Sequence, residues 1–384
     1  MSGNTFGRRF RLTTYGESHG AGLGGIVEGC PAGLPLGEED IQKALDERRP
    51  GDGGRGGAAG TTRKEPDRVR LLSGIFDGKT TGTSIAFHVE NQNQRSSDYD
   101  LLATVFRPEH ADLGFWSKYH IRDHRGGGRS SGRETLSRVA GGAIASRFLA
   151  ETGIEVFACT KELGGIAASL DDVPGACARP FFCPDDNRVG LWEEAVRKAK
   201  EDGDTLGGLV HILIRGLPAG LGEPVFDKLD ARLAYAFMGV GAVKGVEIGL
   251  GFAAARLRGS ENNDSIVPLE TGKNSAKGSG YTAACGTLPG GAGYAFAGNH
   301  SGGILGGMST GAQVTATVAV KPISSIAREQ STIDIHGQAT SILVSGRHDI
   351  SAIPRIVPVL KAMAALTVAD FALLQLGVKI KDYR

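Results

Sequence analysis

The chain of 384 residues carries a formal net charge of +1 and 40% apolar residues, enough for a real core and too little charge for a nucleic-acid-binding polycation. No stretch reaches the roughly 18 continuous apolar residues of a membrane span, and Met1 to Phe10 has no apolar h-region behind its basic pair, so neither a span nor a secretory signal is expected. Cys30, Cys159, Cys177, Cys183 and Cys285 are odd in number and widely spaced, which suits a reducing, cytoplasmic setting rather than a disulfide framework or a metal site.

In chain order, a strand at residues 10–14 feeds a glycine-rich turn at 16–25. A helix at 38–49 has acidic residues early and Arg48 and Arg49 in its last turn, a charge order that suits the helix dipole, and Pro50-Gly51 stops it. Residues 51–60 are mostly glycine and alanine and read as a loop. A strand is expected at 85–89 and a long helix at 134–151, whose Ala140, Gly141, Gly142, Ala143 and Ala145 suit close packing in a buried position. A helix at 192–201, a strand at 209–215, a helix at 226–238 and a β-branched strand at 313–320 follow. The apolar run 353–378 reads as a helical region interrupted by Pro354 and Pro358, and 272–299 as a second glycine-rich loop. Without a regular βαβ beat or a fixed-period repeat, the pattern predicts an α+β fold with sheets packed on central helices. The 59 glycines, about twice the usual share, point to many tight turns and close backbone approaches.

Four clusters can carry chemistry. Thr14-Tyr15-Gly16-Glu17-Ser18-His19-Gly20 exposes His19 between glycines, either for proton transfer near neutrality or as a turn histidine that caps backbone. Arg107-Pro108-Glu109-His110-Ala111-Asp112, with His120, Asp123 and His124, lacks the spacing of a metal site; it is a loop with one catalytic histidine or a plain surface loop. The stretch 125–134, Arg-Gly-Gly-Gly-Arg-Ser-Ser-Gly-Arg-Glu, offers helix-start N–H groups, Ser130, Ser131 and three arginines to an anion, or forms a glycine hinge with solvated arginines. It matches neither a P-loop nor a Rossmann turn. Toward the C-terminus, Lys321 with Ser324 and Ser325 can meet a phosphate or a flavin ring, Arg347 an anion, and Asp349 a proton; each is equally readable as an ordinary turn or strand edge. RGG-like segments at 53–57 and 125–129 raise an RNA-associated alternative, but no aromatic interleaves with them.

Together these motifs resemble the chorismate synthase family. The matching stretches are residues 16–20, 107–112, 125–135, Leu217-Pro218-Ala219-Gly220-Leu221-Gly222, Val243-Lys244-Gly245-Val246-Glu247, 302–307, 321–325 and Arg347-His348-Asp349, in the family's order from residue 4 to about 370. The resemblance implies a β-α-β sandwich, central helices flanked by sheets, as one domain over 1–384 with glycine-rich excursions near 51–60 and 272–299. It implies a lyase that turns 5-enolpyruvylshikimate 3-phosphate into chorismate and phosphate by anti-1,4-elimination with reduced FMN, NADPH being a candidate reductant and a homotetramer the common assembly.

By the same resemblance, His19 matches the histidine that protonates the departing phosphate, with Ser18 beside it, and His110 the one near flavin N1. Asp349 matches the aspartate that, with flavin N5, assists removal of the ring hydrogen. Arg129, Ser130, Ser131, Gly241, Ala242, Gly306, Lys321, Pro322, Ile323, Ser324, Ser325 and Arg347 match flavin-contact positions. Arg48 and Arg55 match mobile anion-binding arginines, and Arg49, Arg107 and Arg133 can add cationic partners for the substrate or NADP. The chain departs from the family at Glu109, where glycine is usual, and at Gly132, Gly241 and Ile350-Ser351. A flavoprotein reductase using the same anion site is the nearest rival reading.

Overall fold

The computed structural model describes residues 3–49, 59–60, 67–91, 102–268, 284–288, 291–344 and 349–380. The first part of the chain holds β1 (Thr5–Phe6), β2 (Arg11–Gly16), β3 (Gly22–Glu28), α1 (Glu38–Arg48), β4 (Val69–Leu71), the short β5 (Ile75–Phe76) and β6 (Lys79–Thr80), and β7 (Ile85–Glu90). Five of these strands form an antiparallel sheet in the order β1-β2-β3-β7-β4. Helices α2 (Asp112–Tyr119) and α3 (Thr135–Glu151) follow. Then come β8 (Glu155–Leu163), β9 (Ile166–Ala167), α4 (Val189–Glu201), β10 (Gly208–Arg215), α5 (Leu229–Met238) and β11 (Val243–Ile248).

The last third contains α6 (Gly259–Asn262), a small sheet of β12 (Ile266–Pro268), β13 (Ala284–Thr287) and β14 (Gly293–Phe296), and the hairpin of β15 (Ile304–Leu305) and β16 (Met308–Ser309). Strand β17 (Val314–Val320) completes a second antiparallel sheet, β11-β17-β10-β8-β9; β18 (Gln330–Ile333) and β19 (Ala339–Ile342) pair alone, and α7 (Ile353–Leu374) ends the fold.

Helices α3 and α7 lie back to back in the middle, α3 packing on β2 and β3 and α7 on β8 and β10. The result is the expected α+β sandwich of helices between two sheets. The small residues of α3 explain its place. A Cβ on Gly141 would lie 2.8 Å from Leu12 of the first sheet, and one on Gly142 would lie 2.3 Å from the Ala362 Cβ of α7. With no side chain at either position, α3 fits against both neighbours at once.

Expected elements recur with ends shifted by a few residues, and three expectations change. The stretch 272–299, expected as a loop, carries strands β13 and β14 among its described residues, while residues 51–58 of the other expected loop lie outside the described residues. The glycine-rich stretch 16–25 is only partly a turn, because β3 begins at Gly22. Its glycines make room for neighbours: a Cβ on Gly24 would fall 2.4 Å from the Tyr15 hydroxyl, and one on Gly25 2.6 Å from the Phe87 ring. The region 353–378 is not interrupted, since α7 is continuous to Leu374 with Pro354 in its first turn and Pro358 inside. Pro354 replaces an N–H that the first turn leaves unpaired, and Pro358 costs about 3 kcal/mol. Burial of Ile356, Val357, Val359, Leu360, Met363, Leu366, Val368 and Phe371 outweighs that, at about 1.5–3 kcal/mol per large apolar side chain.

Helix α7 is long and apolar enough to cross a membrane, yet 83% of its most apolar window is buried inside the protein. Near its end Asp370, 5% exposed, accepts the backbone N–H groups of Arg8 (2.9 Å), Arg9 (2.6 Å) and Phe10 (3.0 Å), pinning the N-terminal segment to the last helix.

Candidate active site

The motif residues are linked contact by contact. Ser18 Oγ lies 3.2 Å from His19 Nδ1 in the turn between β2 and β3. Three consecutive glycines, Gly126, Gly127 and Gly128, with φ of 66°, 86° and 52°, fold the next loop onto that turn. A Cβ on Gly126 would sit 2.4 Å from the His19 ring, and one on Gly127 3.7 Å from the Arg107 guanidinium. The left-handed backbone favours glycine at all three positions, and at Gly126 the close approach of His19 requires it as well.

Arg107 opens the turn that carries His110 and forms two bonds to Asp112, Nε–Oδ2 2.8 Å and Nη2–Oδ1 2.9 Å. Burial alone would raise the Asp112 pKa, but the Arg107 bonds outweigh it and hold the carboxyl below its usual range. His110 is fixed from both sides: Nδ1 donates to the Pro108 carbonyl at 2.8 Å, and Nε2 faces Ser325 Oγ at 3.2 Å. A carbonyl can only accept, so the proton resides on Nδ1 and Nε2 is the basic nitrogen. Burial, reinforced by the Arg107 charge, lowers the His110 pKa, so the ring is neutral near pH 7.

Beyond His110 lies the loop 321–325. Lys321 Nζ donates to Glu109 Oε2 at 2.5 Å and to Ser324 Oγ at 3.1 Å, and its backbone N–H bonds to the Ala242 carbonyl at 2.9 Å. Ala242 has a φ of 70°, a turn that sets Gly241 and Ala242 beside the lysine. The Ile323 carbonyl accepts from Thr205 Oγ1 at 2.6 Å, and Pro322 packs where a Cβ on Gly207 would come within 3.0 Å. Next along the chain, Leu206 binds the Ile350 carbonyl at 2.8 Å, which brings in Asp349. Asp349 pairs with Arg355 Nε at 3.0 Å and lines a small cavity of about 10 Å³ with Arg48, Arg49 and Ser351.

Arg48 closes the ring. Only 2% exposed, it reaches Thr135 Oγ1 (3.0 Å), the Gly132 carbonyl (3.1 Å) and Asp67 Oδ2 (3.6 Å). Arg133 holds the other Asp67 oxygen at 2.8 Å and Asn91 Oδ1 at 2.9 Å. Asn91 in turn donates to the Glu17 and Gly20 carbonyls at 2.9 Å each, on either side of Ser18-His19.

Several expected anion binders are thus engaged within the protein. Arg48, expected to be mobile, is buried, because Asp67 compensates it and Arg133 where no water can. Arg49 lies 3.3 Å from Asp46. The stretch 125–134 is not one helix start but two 3₁₀ turns, Gly128–Ser130 and Gly132–Glu134, ahead of α3. Arg129 there binds the Gly16 carbonyl (2.9 Å) and Thr14 Oγ1 (2.6 Å), Ser130 donates to the Gly127 carbonyl at 2.7 Å, and Ser131 Oγ accepts from the Arg133 N–H at 3.4 Å. Gly306, φ 58°, forms the tip of the β15–β16 hairpin, whose bonds run to Leu221 and Leu229. Arg55 and Arg347 lie outside the described residues. Asp67, Asn91 and Arg355 belong to the site without having been expected there; an acid after a glycine-rich loop was the one available signal for Asp67. Among the described residues no group of His, Cys, Asp and Glu is disposed to hold a metal ion.

Comparison with known proteins adds to this geometry. The family model for chorismate synthase matches residues 10–373. The chain is 61% identical over 375 residues to a chorismate synthase of Nitratidesulfovibrio vulgaris, covering 98% of each protein. It is equally similar to that of Oleidesulfovibrio alaskensis, at 61% over 375 residues, and 50% identical over 373 residues to that of Syntrophobacter fumaroxidans. A crystal structure of chorismate synthase superposes with a TM-score of 0.73 at 31% identity, covering 97% of this chain and 94% of the other.

Proposed function

The chain belongs to the chorismate synthase family of lyases, and on that premise we propose that it converts 5-enolpyruvylshikimate 3-phosphate to chorismate and phosphate by anti-1,4-elimination with reduced FMN. One juxtaposition carries the reading. The glycine loop lies against His19 while its next residue approaches Arg107, in the turn that bears His110, so three motifs from distant parts of the sequence meet at that loop.

In this reading Ser18 holds the His19 ring through Nδ1, which assigns proton transfer to the departing phosphate to Nε2. Asp349, steadied by Arg355, accepts the ring proton. The residues around Lys321 suit a flavin: an ammonium, the Ser324 and Ser325 hydroxyls and the His110 imidazole are donors for an anionic ring or a phosphate. Reduced FMN, when bound, supplies the transient electron donation that an allylic C–O cleavage needs and no side chain can provide. His110, neutral in the ligand-free chain, takes up a proton when an anion settles against Nε2. Arg48, Arg49, Arg107 and Arg133, each paired with an acid, shape the phosphate and carboxylate environment.

We also read residues 1–384 as one domain, a reading supported by a core cluster that runs from Phe10 to Phe371 across both sheets. The chain works in the cytoplasm as a homotetramer, which sedimentation tests.

The deciding experiment is anaerobic incubation of substrate with the protein and photoreduced FMN. Release of phosphate and chorismate without net consumption of reductant is expected. Steady NADPH oxidation without phosphate release would make the protein a reductase instead.

A further inference from the structure

Glu109 is unused by the chemistry above, and its backbone is costly. Its φ of 58° lies in the left-handed region, which glycine enters freely and other residues enter at a cost. From there the side chain, 69% exposed, reaches a different loop and meets Lys321 Nζ at 2.5 Å. The Glu109 carbonyl accepts from the same Nζ at 3.3 Å and from Ser324 Oγ at 3.5 Å. Lys244 and His110 also face this carboxylate, and hydrogen bonding and charge from Lys321, then Lys244, hold its pKa below the ordinary range. One acid therefore sits against Lys321, the cation that the proposed function assigns to an anionic cofactor, with the Lys244 charge nearby.

We propose that the Glu109 carboxylate is a displaceable internal anion, which occupies Lys321 in the ligand-free protein and yields it to an oxyanion of the flavin. Glu109 thereby sets how tightly the flavin is held. The inference rests on the reading of residues 321–325 as flavin contacts.

The physical case is a contrast in release. Arg107 and Asp112 also make an ion pair, but at 11% and 5% exposure neither partner can leave without stranding a buried charge. Glu109 can leave, because water replaces Lys321 as its partner at little cost. Lys321 stays in place, since Ser324 and the backbone bond to Ala242 hold it. An incoming anion must still compete with a carboxylate tethered beside the lysine, whose effective concentration is high. Flavin affinity is lowered by that competition, and stray phosphate is kept off the lysine by it. The displacing oxyanion is either the flavin phosphate or the anionic reduced ring.

The test is binding of FMN and riboflavin, oxidised and reduced, to the full-length wild type, Glu109→Gln and Glu109→Gly. The glycine variant suits the left-handed backbone and guards against misfolding of the other. Both variants are expected to bind FMN about two- to fivefold more tightly, the range for a solvent-screened pair. The gain should vanish when Lys321→Gln is combined with either. A gain for FMN alone places the phosphate at Lys321, and a gain for reduced riboflavin too places the ring there; both support the proposal. Equal or weaker FMN binding by folded Glu109 variants, or an undiminished gain without Lys321, overturns it while the flavin reading stands. Absence of flavin binding by every protein, wild type included, overturns both.

Discussion

Arg48 and Arg133 close on one buried carboxylate, Asp67, whereas Lys321 closes on Glu109 at the surface. The two clusters border the same site and differ in what their charges are for. Asp67 is 1% exposed and Arg48 2%, so neither has an alternative partner in water, and the group is architecture that fixes the Thr135 end of α3 and, through Arg133 and Asn91, the His19 turn. The lysine pair exchanges partners freely, and that suits a place where a ligand arrives. Burial, more than the number of positive charges, separates a cation that builds the site from one that serves it.

The largest expected effect comes from breaking the buried cluster. Asp67→Ala leaves two arginines without their carboxylate and should cost about 3–5 kcal/mol in denaturant unfolding; an unchanged midpoint would erase the distinction drawn here. Replacing a group that serves the site should act on rate instead. His19→Ala and His110→Ala are each expected to lose about 10²- to 10⁴-fold in turnover with circular dichroism unchanged, and wild-type rates in both would refute their roles. A second buried carboxylate, Asp370 at the opposite end of α7 from Arg355, checks whether burial is the cause. Asp370→Asn weakens three backbone bonds to Arg8, Arg9 and Phe10 and should cost about 1.5–3 kcal/mol while leaving kcat alone in the folded fraction.

A pH scan extends the rule to a neutral group. Burial on β10, then the nearby Lys161 charge, pushes the His211 pKa down to about 4. The unfolded chain takes up that proton near pH 6.5, so folding stability should be fully present above that value and decline as pH falls toward about 4. The decline should be flatter in His211→Gln, and an identical slope would remove His211 from the account. Smallest of all, Glu109→Gln should leave the melting temperature unchanged, since a screened surface pair contributes little.

Much of this was legible in the sequence because it depends on local chemistry. The charge order of α1, the small residues of α3 and the β-branched β17 announce their elements. Strand β3 was hidden by glycines whose reason, the Tyr15 and Phe87 side chains lying over them, is tertiary. Strand β8 was missed because a polar residue such as Thr160 is buried by donating to the Phe181 carbonyl, which blurs the alternation. Continuity of α7 through Pro358 follows from burial rather than helix propensity. At the site, the reactive residues stand in recognisable motifs, but their partners do not. That Asp67 would claim Arg48 and Arg133 depends on parts of the chain far apart in sequence, and Arg355, although close to Asp349 in the chain, stands in no motif.

The central claim is that the turns bearing His19 and His110 face one bound pair of anions. A crystal structure with FMN and 5-enolpyruvylshikimate 3-phosphate tests it most directly. The account predicts His19 within hydrogen-bonding reach of the substrate phosphate and His110 against the flavin ring, with Asp67 still holding Arg48 and Arg133. Either histidine remote from both ligands would contradict it.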